Sequence, residues 1–503
     1  MTRLGLLRYA LTAAALVIWP GAASAGSLVD EAAHTLMTRA EPVTWIDGHH
    51  TGSAWKSVVQ APDYQTDRDA GAAGVGMGFL AAYDTTGNAA YLNEASSAGD
   101  FLVAAQVPEG SGRWPDFYNP DGPASWGFTS FDNGAPGIAD FLWRLYERTG
   151  NARYASTALE AMDSEISKGE APQGQSCPAV CFWHWQDPAS KDVYTGMGEG
   201  VAGIAWAFDA FAARRAKIDP VRSARYEQYA EGAAKWLESQ MVHVKLADGE
   251  QGASIPERPG ATIFDTGYLS GSAGDALLFY RLYRSTGRAQ YRRDGDELLA
   301  WVGAQALTDG SCQGVRWPIQ NRGYGQKLHA AGIDEGDAGI GWVAIQAYKL
   351  LIAREPVQAV KDLELARAAG DWLLSSCAAR THDQKIFWPE DEGQQLAHTS
   401  LDNGAPGIAV FLYDLYEATG APSYRDGAAD AEHWVESVSF KTHGASSWCE
   451  QVRDGTWQLC GEPSWDWGMA GIIDMAARLK GWPLDIPGEE SGFTRRIDGM
   501  SAE

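Results

Sequence analysis

Beyond Pro20 the 503-residue chain has no apolar run long enough to cross a bilayer, which excludes a membrane-spanning body. Basic residues are scarce, 40 Lys and Arg against 65 Asp and Glu. The net charge of −25 and pI near 4.8 argue against nucleic acid or an anionic membrane surface as partners. Cysteines number only six, and none form the paired C-x2-C knuckles of a zinc site. No loop has an EF-hand pattern, so no cofactor is called for, although clustered Asp and Glu oxygens would suit Ca²⁺. No Pro/Gly/Ser-rich linker divides the chain, so its length is read as one large domain.

The first residues read as a secretory leader. Arg3 and Arg8 are basic, Tyr9 to Trp19 is mostly apolar, and Ala23-Ser24-Ala25 supplies small residues for cleavage after Ala25. The expectation is a leader over 1–25, a folded domain over 26–483 and a polar tail over 484–503, in a secreted or periplasmic monomer. In an exported chain six cysteines are compatible with disulfides, for which fifteen pairings exist. Spacing favours Cys177 with Cys181 across a tight loop and Cys449 with Cys460 around Arg453-Asp454-Gly455. Cys312 and Cys377 stand 65 residues apart. A four-cysteine zinc site is the rival reading.

What the chain has in abundance is repetition. Asp132-Asn133-Gly134-Ala135-Pro136-Gly137-Ile138-Ala139 returns almost unchanged as Asp402-Asn403-Gly404-Ala405-Pro406-Gly407-Ile408-Ala409. Weaker Gly-x-x-Gly copies end at Gly74, Gly203, Gly274, Gly339 and Gly471, giving seven units at steps of 63, 66, 71, 65, 68 and 64 residues. Each motif opens an amphipathic segment, as in Ile138, Phe141, Leu142, Leu145 and Tyr146. Three of these segments end on matching Tyr-x-x-Thr-Gly signals at Gly150, Gly287 and Gly420, followed by a second helix over 155–166, 292–302 and 425–438. Each unit is thus an αα-hairpin, and Trp-containing stretches that follow the second helix read as short β-hairpin arms. The predicted fold is all-α, an (α/α)7 toroid of seven helical hairpins; an open solenoid is the alternative. Small residues at the helix starts would let neighbouring inner helices approach closely.

Seven such units preceded by Trp-containing loops resemble the LanC family of lanthionine synthetases over nearly the whole chain after the leader. That resemblance implies an (α/α)7 barrel, with zinc held by a Cys before the glycine pair of the penultimate unit and a Cys-His before that of the last. Here those places hold Asp402-Asn403 and Asp466-Trp467. By analogy the chain also resembles exported α/α-toroid polysaccharide lyases and glycosidases, with 21 Trp available for sugar faces.

In such a ring the residues just before each glycine pair converge on one end of the central cavity. Asp recurs at Asp69, Asp132, Asp334, Asp402 and Asp466, which suits an N-cap for the inner helix. The next position varies as a shaped site would: Asn133, Glu199, Glu335, Asn403, Trp467. Six or seven residues before the glycine stand Tyr194, Asp265, His329 and His398, with Tyr268 and Tyr324 nearby. Either His can equally be structural.

Two chemistries follow. Elimination from a uronic-acid polymer of the glucuronan or alginate type, the favoured expectation, needs three roles filled. Asn133 or Asn403 would hold the carboxylate, His329 or His398 act as base and Tyr194 as acid, with Arg316 or Arg322 adding positive charge. Glycoside hydrolysis instead needs two carboxylates, for which Glu199 and Glu335 are the pair and Asp265 or Asp337 substitutes. Under either reading Trp114, Trp183, His184, Trp185, Trp317, Tyr324, Trp388 and Trp467 would bind the polysaccharide. A LanC-like binding or peptide-modifying protein is the third reading.

Overall fold

A computed structural model describes residues 22–482 apart from 45–50, 58–62, 119–126, 188–189, 309, 311, 322–328, 383–384, 390–395, 443 and 454–455. Arg322, Tyr324, most of the expected leader and the expected tail lie outside the described residues.

Fourteen α-helices are found among the described residues. After α1 (Ala22–Arg39) come six inner–outer pairs: α2 (Ala72–Thr86) with α3 (Ala89–Ala104), α4 (Ala135–Thr149) with α5 (Ala152–Lys168), and α6 (Val201–Arg215) with α7 (Pro220–Gln240). Next are α8 (Ser272–Thr286) with α9 (Ala289–Ala304), α10 (Asp337–Leu351) with α11 (Pro356–Leu373), and α12 (Ala405–Thr419) with α13 (Pro422–Ser437), before a lone inner helix α14 (Met469–Arg478). Each inner helix packs on the next, and α14 packs back on α2, so the array is a closed (α/α)7 toroid. The short strands pair antiparallel, some as hairpins within one loop and others, such as Tyr64–Gln65 with Phe117–Tyr118 and Gly127–Phe128 with Gln186–Asp187, between the loops of neighbouring units.

The seventh hairpin departs from the sequence expectation of seven consecutive units. Its outer helix is α1, which packs on α14. Recurrent tyrosines mark the equivalence. Tyr154 on α5 donates to Asp100 on α3 (3.0 Å) and Tyr424 on α13 to Asp371 on α11 (2.7 Å). In the same way Tyr91 on α3 donates to Asp30 on α1 (2.6 Å). The outer helices α5, α9 and α13 begin three residues earlier than expected; Asn151 caps α5, accepting from the amide of Arg153, as Asn88 caps α3 through that of Ala90.

The second glycine of each pair is needed for close approach on two sides. A Cβ at Gly339 would lie 1.8 Å from the carbonyl oxygen of Ile333 in its own turn and 3.1 Å from Cβ of Tyr268 in the preceding unit. The other six show the same pattern, through Gly74, which meets Arg68 O and Cβ of Trp465. Close approach is therefore both within a turn and between units.

Every repeated Trp whose indole is described inside a loop is structural. Trp114, Trp183, Trp317 and Trp388 are buried, and their indole N–H groups donate to outer-helix carbonyls of Leu102, Glu165, Val302 and Leu373 at 2.7–2.8 Å. Trp55 and Trp448 do likewise to Leu36 and Val435. A Thr hydroxyl from the glycine turn then binds the carbonyl after the Trp: Thr66 to Pro115, Thr129 to His184, Thr266 to Pro318, Thr399 to Cys449. The expectation that Trp114, Trp183, Trp317 and Trp388 bind substrate is thereby corrected. A buried indole needs a partner for its N–H, and the last turn of a helix offers free carbonyls. The cysteines pair as Cys177–Cys181, Cys312–Cys377 and Cys449–Cys460.

Candidate functional site

The turns that start the inner helices are joined by a ring of backbone hydrogen bonds. The Asp132 carbonyl accepts from the amides of Arg68 and Asp69, that of Gly198 from Phe131 and Asp132, and that of Leu269 from Gly198. Asp334 O accepts from Tyr268 and Leu269, Asp402 O from Ile333 and Asp334, Asp466 O from Leu401 and Asp402, and Asp69 O from Trp465 and Asp466. This ring forms the floor of the axial cavity.

Asp69, Asp132, Asp334, Asp402 and Asp466 occupy five of its seven places. They are not the N-caps that their recurrence suggested. The cap is the first glycine of each pair, in extended conformation and with no side-chain cap bond. Four of these carboxyls, those of Asp132, Asp334, Asp402 and Asp466, surround a cavity of about 10 Å³ with Arg68, Tyr268 and Trp465, the room of roughly one water. Arg68, 2% exposed, is held over Trp465 (4.0 Å) and Phe131 (5.2 Å) and reaches Asp132 at 3.3 Å.

Burial pushes the Asp132 carboxyl up to about 7, with Arg68 pulling against it and Asp69 and Glu199 adding to it. Asp402 is likewise raised to about 7 by burial, although Ser400, the Asn403 amide and His398 favour its charge. Asp334 is raised further by burial and then by Asp402 and Asp132, and Asp466 by burial and then by Asp69 and Asp334. Farther along α4 the balance is reversed. Burial would raise Asp140, but Arg144 and Arg214 hold it below the usual carboxylate range, at 2.8 and 2.5 Å.

The variable position after a ring residue is half-buried in six of the seven units, at Asn133, Glu199, Ser270, Glu335, Asn403 and Trp467, and buried at Ala70 in the first. Glu335 is pushed up to about 8, chiefly by burial and then by Asp265 and Glu199, with hydrogen bonds from Ser270 opposing. Its Oε2 is sealed from solvent without a hydrogen-bond partner. Glu199 is raised by burial, Asp69 and Glu257, against Arg258. Glu199 and Glu335, from the third and fifth units, are thus brought to one floor. Asn133 instead donates to Asp69 at 3.2 Å, and Asn403 to Asp402 at 2.9 Å.

At the rim, half-buried Tyr194 packs on Trp185 (5.4 Å), which packs on Phe128 (4.8 Å), and Arg258 lies over the Tyr194 ring at 4.5 Å. The two histidines are enclosed. His329 is 8% exposed with Nε2 2.6 Å from Asp337 Oδ2, and Asp337 also accepts from the Trp317 amide. His398 is 4% exposed beside Asp402. His184 is half-buried, its Nδ1 3.0 Å from the Lys191 carbonyl. Arg316 stacks over Trp372 at 5.6 Å, behind the Trp317 loop.

Arg68, Glu257 and Arg258 were not singled out from sequence. Arg68 had a signal: its register position is otherwise Phe131, Met197, Tyr268, Ile333, Leu401 and Trp465. Glu257 and Arg258 recur in no other unit. Zinc of the LanC kind does not fit the residues present. Asp402 is engaged by the amide and Nδ2 of Asn403, Asp466 shares a hydrogen bond with Asp69, and no thiolate is available because all six cysteines are paired.

No known family profile matches the chain, and no curated protein matches it. Among solved structures the fold is similar to that of nisin cyclase, with TM-score 0.53 and 10% identity over 86% of this chain and 92% of that one. It is similar also to a sugar epimerase from a ruminal bacterium, with TM-score 0.50 and 11% identity over 92% and 99% of the two chains. Both likenesses are of fold, and in that sense the chain is an α/α toroid.

Proposed function

We propose that this protein is a carbohydrate-active enzyme that cleaves glycosidic bonds with a pair of carboxyl groups, Glu335 as acid and Glu199 as base or nucleophile. The observation that carries this reading is the environment of the pair. Glu335 sits at about 8 with no cation among the causes acting on it, whereas Arg258 works to keep Glu199 charged. Glu335 thus holds its proton at neutral pH, while Arg258 opposes the burial and the charges that raise Glu199, an asymmetry of the kind that acid-assisted glycoside cleavage uses. Protonation of the leaving oxygen by Glu335 would accompany attack at the anomeric carbon, either by Glu199 or by a water that Glu199 deprotonates. Trp467, Trp185 and Tyr194 are the half-buried rings available to sugar faces.

Elimination from a uronate fits less well, because its base would have to come from His329 or His398. The first is engaged by Asp337, and both rings are enclosed. The sugar epimerase shares the fold and is in keeping with a sugar in the cavity, whereas the peptide chemistry of nisin cyclase is not adopted here. The test is to incubate the protein with a panel of neutral, amino and uronic-acid glycans while following reducing ends and conjugated-alkene absorbance together. New reducing ends without absorbance, lost in both Glu335→Gln and Glu199→Gln, are expected. A rise in absorbance on a uronate would return the reading to elimination.

A further inference from the structure

The rim on the Glu335 side has an excess of acceptors. Asp265, 6% exposed, has an Oδ1 sealed from solvent with no hydrogen-bond partner, and its charge is felt by Glu335, whose Oε2 is also unpartnered. Asp265 feels the charge of Glu257, and Glu199 feels both Glu257 and Asp69. The cation at this rim, Arg258, is already shared between Glu257 (3.4 Å) and Asp192 (4.0 Å) and stacked on Tyr194. Buried oxygens without donors are costly in the empty protein, and a ligand bringing N–H groups and positive charge would relieve that cost. A uronate would instead add a carboxylate to four acidic groups.

Resting on the glycan-cleaving reading above, we propose that the rim formed by Asp265 and Glu257 is a subsite for a free amino group of the glycan, so that the substrate contains an amino sugar with an unacetylated nitrogen. An ammonium has three donors and no acceptor, which suits the orphan Oδ1 of Asp265, whose carboxyl otherwise has a hydrogen bond from Gln320, and the charge of Glu257; an acetylated nitrogen offers one donor and adds a carbonyl.

The experiment is calorimetric titration of the full-length protein with a glucosamine tetramer, its N-acetylated form, cellotetraose and a uronate tetramer, at low and high salt. The glucosamine tetramer is expected to bind roughly tenfold more tightly than the N-acetylated and neutral ones, with the margin shrinking in high salt. In Asp265→Asn and in Glu257→Gln, each checked by thermal melting, the preference should fall to within about twofold. Equal affinity for free and acetylated amines, tightest binding of the uronate, or a preference untouched in folded Asp265→Asn and Glu257→Gln would each overturn the proposal. Turnover keeps the two readings apart: amine preference without any bond cleavage sinks the function and leaves the subsite. Cleavage that depends on Glu335 but is indifferent to the amine does the reverse.

Discussion

The carbonyl of Asp69 accepts the amide of Trp465 at 3.1 Å, and this contact between the first and seventh units completes the axial ring. Everything chemical in the molecule is mounted on that ring. Its close tolerances come from glycines that leave no room for a side chain. Gly339→Ala would drive a methyl into the Ile333 carbonyl and should cost about 1–3 kcal/mol or more. Gly310→Ala, where a Cβ meets nothing, should stay within about 0.5 kcal/mol. Urea unfolding of both variants checks this, and equal stabilities would refute the packing account.

Trp317→Phe keeps an aromatic ring in the core but removes the donor to the Val302 carbonyl. The loss should be about 1–3 kcal/mol, read as a lower melting temperature, with glycan affinity unchanged. A large loss of affinity at unchanged stability would make Trp317 a binding residue after all.

The ring carboxyls predict an unusual pH profile of stability. Asp132 and Asp402 rise from 3.8 to about 7 on folding, so the folded protein keeps protons that the unfolded chain has released. Stability then falls as pH rises between about 4 and 7 and levels off above. Asp402→Asn should lessen that fall by an amount on the order of a few kcal/mol, which urea midpoints at successive pH values will read. A midpoint that climbs with pH across this window would contradict the raised values.

Activity should fall as pH passes through about 8, where Glu335 loses its proton. Glu335→Gln should lower kcat roughly 10²–10⁴-fold and remove that limb, while Glu199→Gln should remove the acidic limb. A pH–rate profile of each variant separates the roles; a limb near 8 persisting in Glu335→Gln would assign it elsewhere.

The clasp between the chain ends is equally open to test. Leu36→Ala on α1, at a fully buried position, should cost about 2–5 kcal/mol. Hydrogen exchange should quicken in α14 before the other inner helices. Uniform quickening around the ring would mean that the seventh unit is no weaker than the rest.

Much of this was legible in the sequence. The period, the closure of the array and the three cysteine pairs follow from glycine and cysteine spacing, because those residues are dictated locally. The Trp and Asp repeats misled for one reason. A residue recurring in every unit serves the part of the structure that every unit shares, and for Trp317 that is a helix end, for Asp402 the axial plug. Positions that vary, such as Glu199 and Glu335, were the better guide to the floor. Arg258 and Glu257 arrive from a loop that no other unit repeats, and α1 carries no glycine pair, so periodicity was silent about both.

The completion of the seventh hairpin by α1 also governs how the molecule can be made. Thr35 on α1 donates to the Ser446 carbonyl across 411 residues of chain, and Arg39 reaches Gly461 across 422. Loop-closure entropy of that size must be overcome before these contacts reward it. Helix α1 therefore waits for α14. Until then the chain is an open spiral whose two unfinished edges fit each other, the circumstance in which repeat proteins exchange elements between copies.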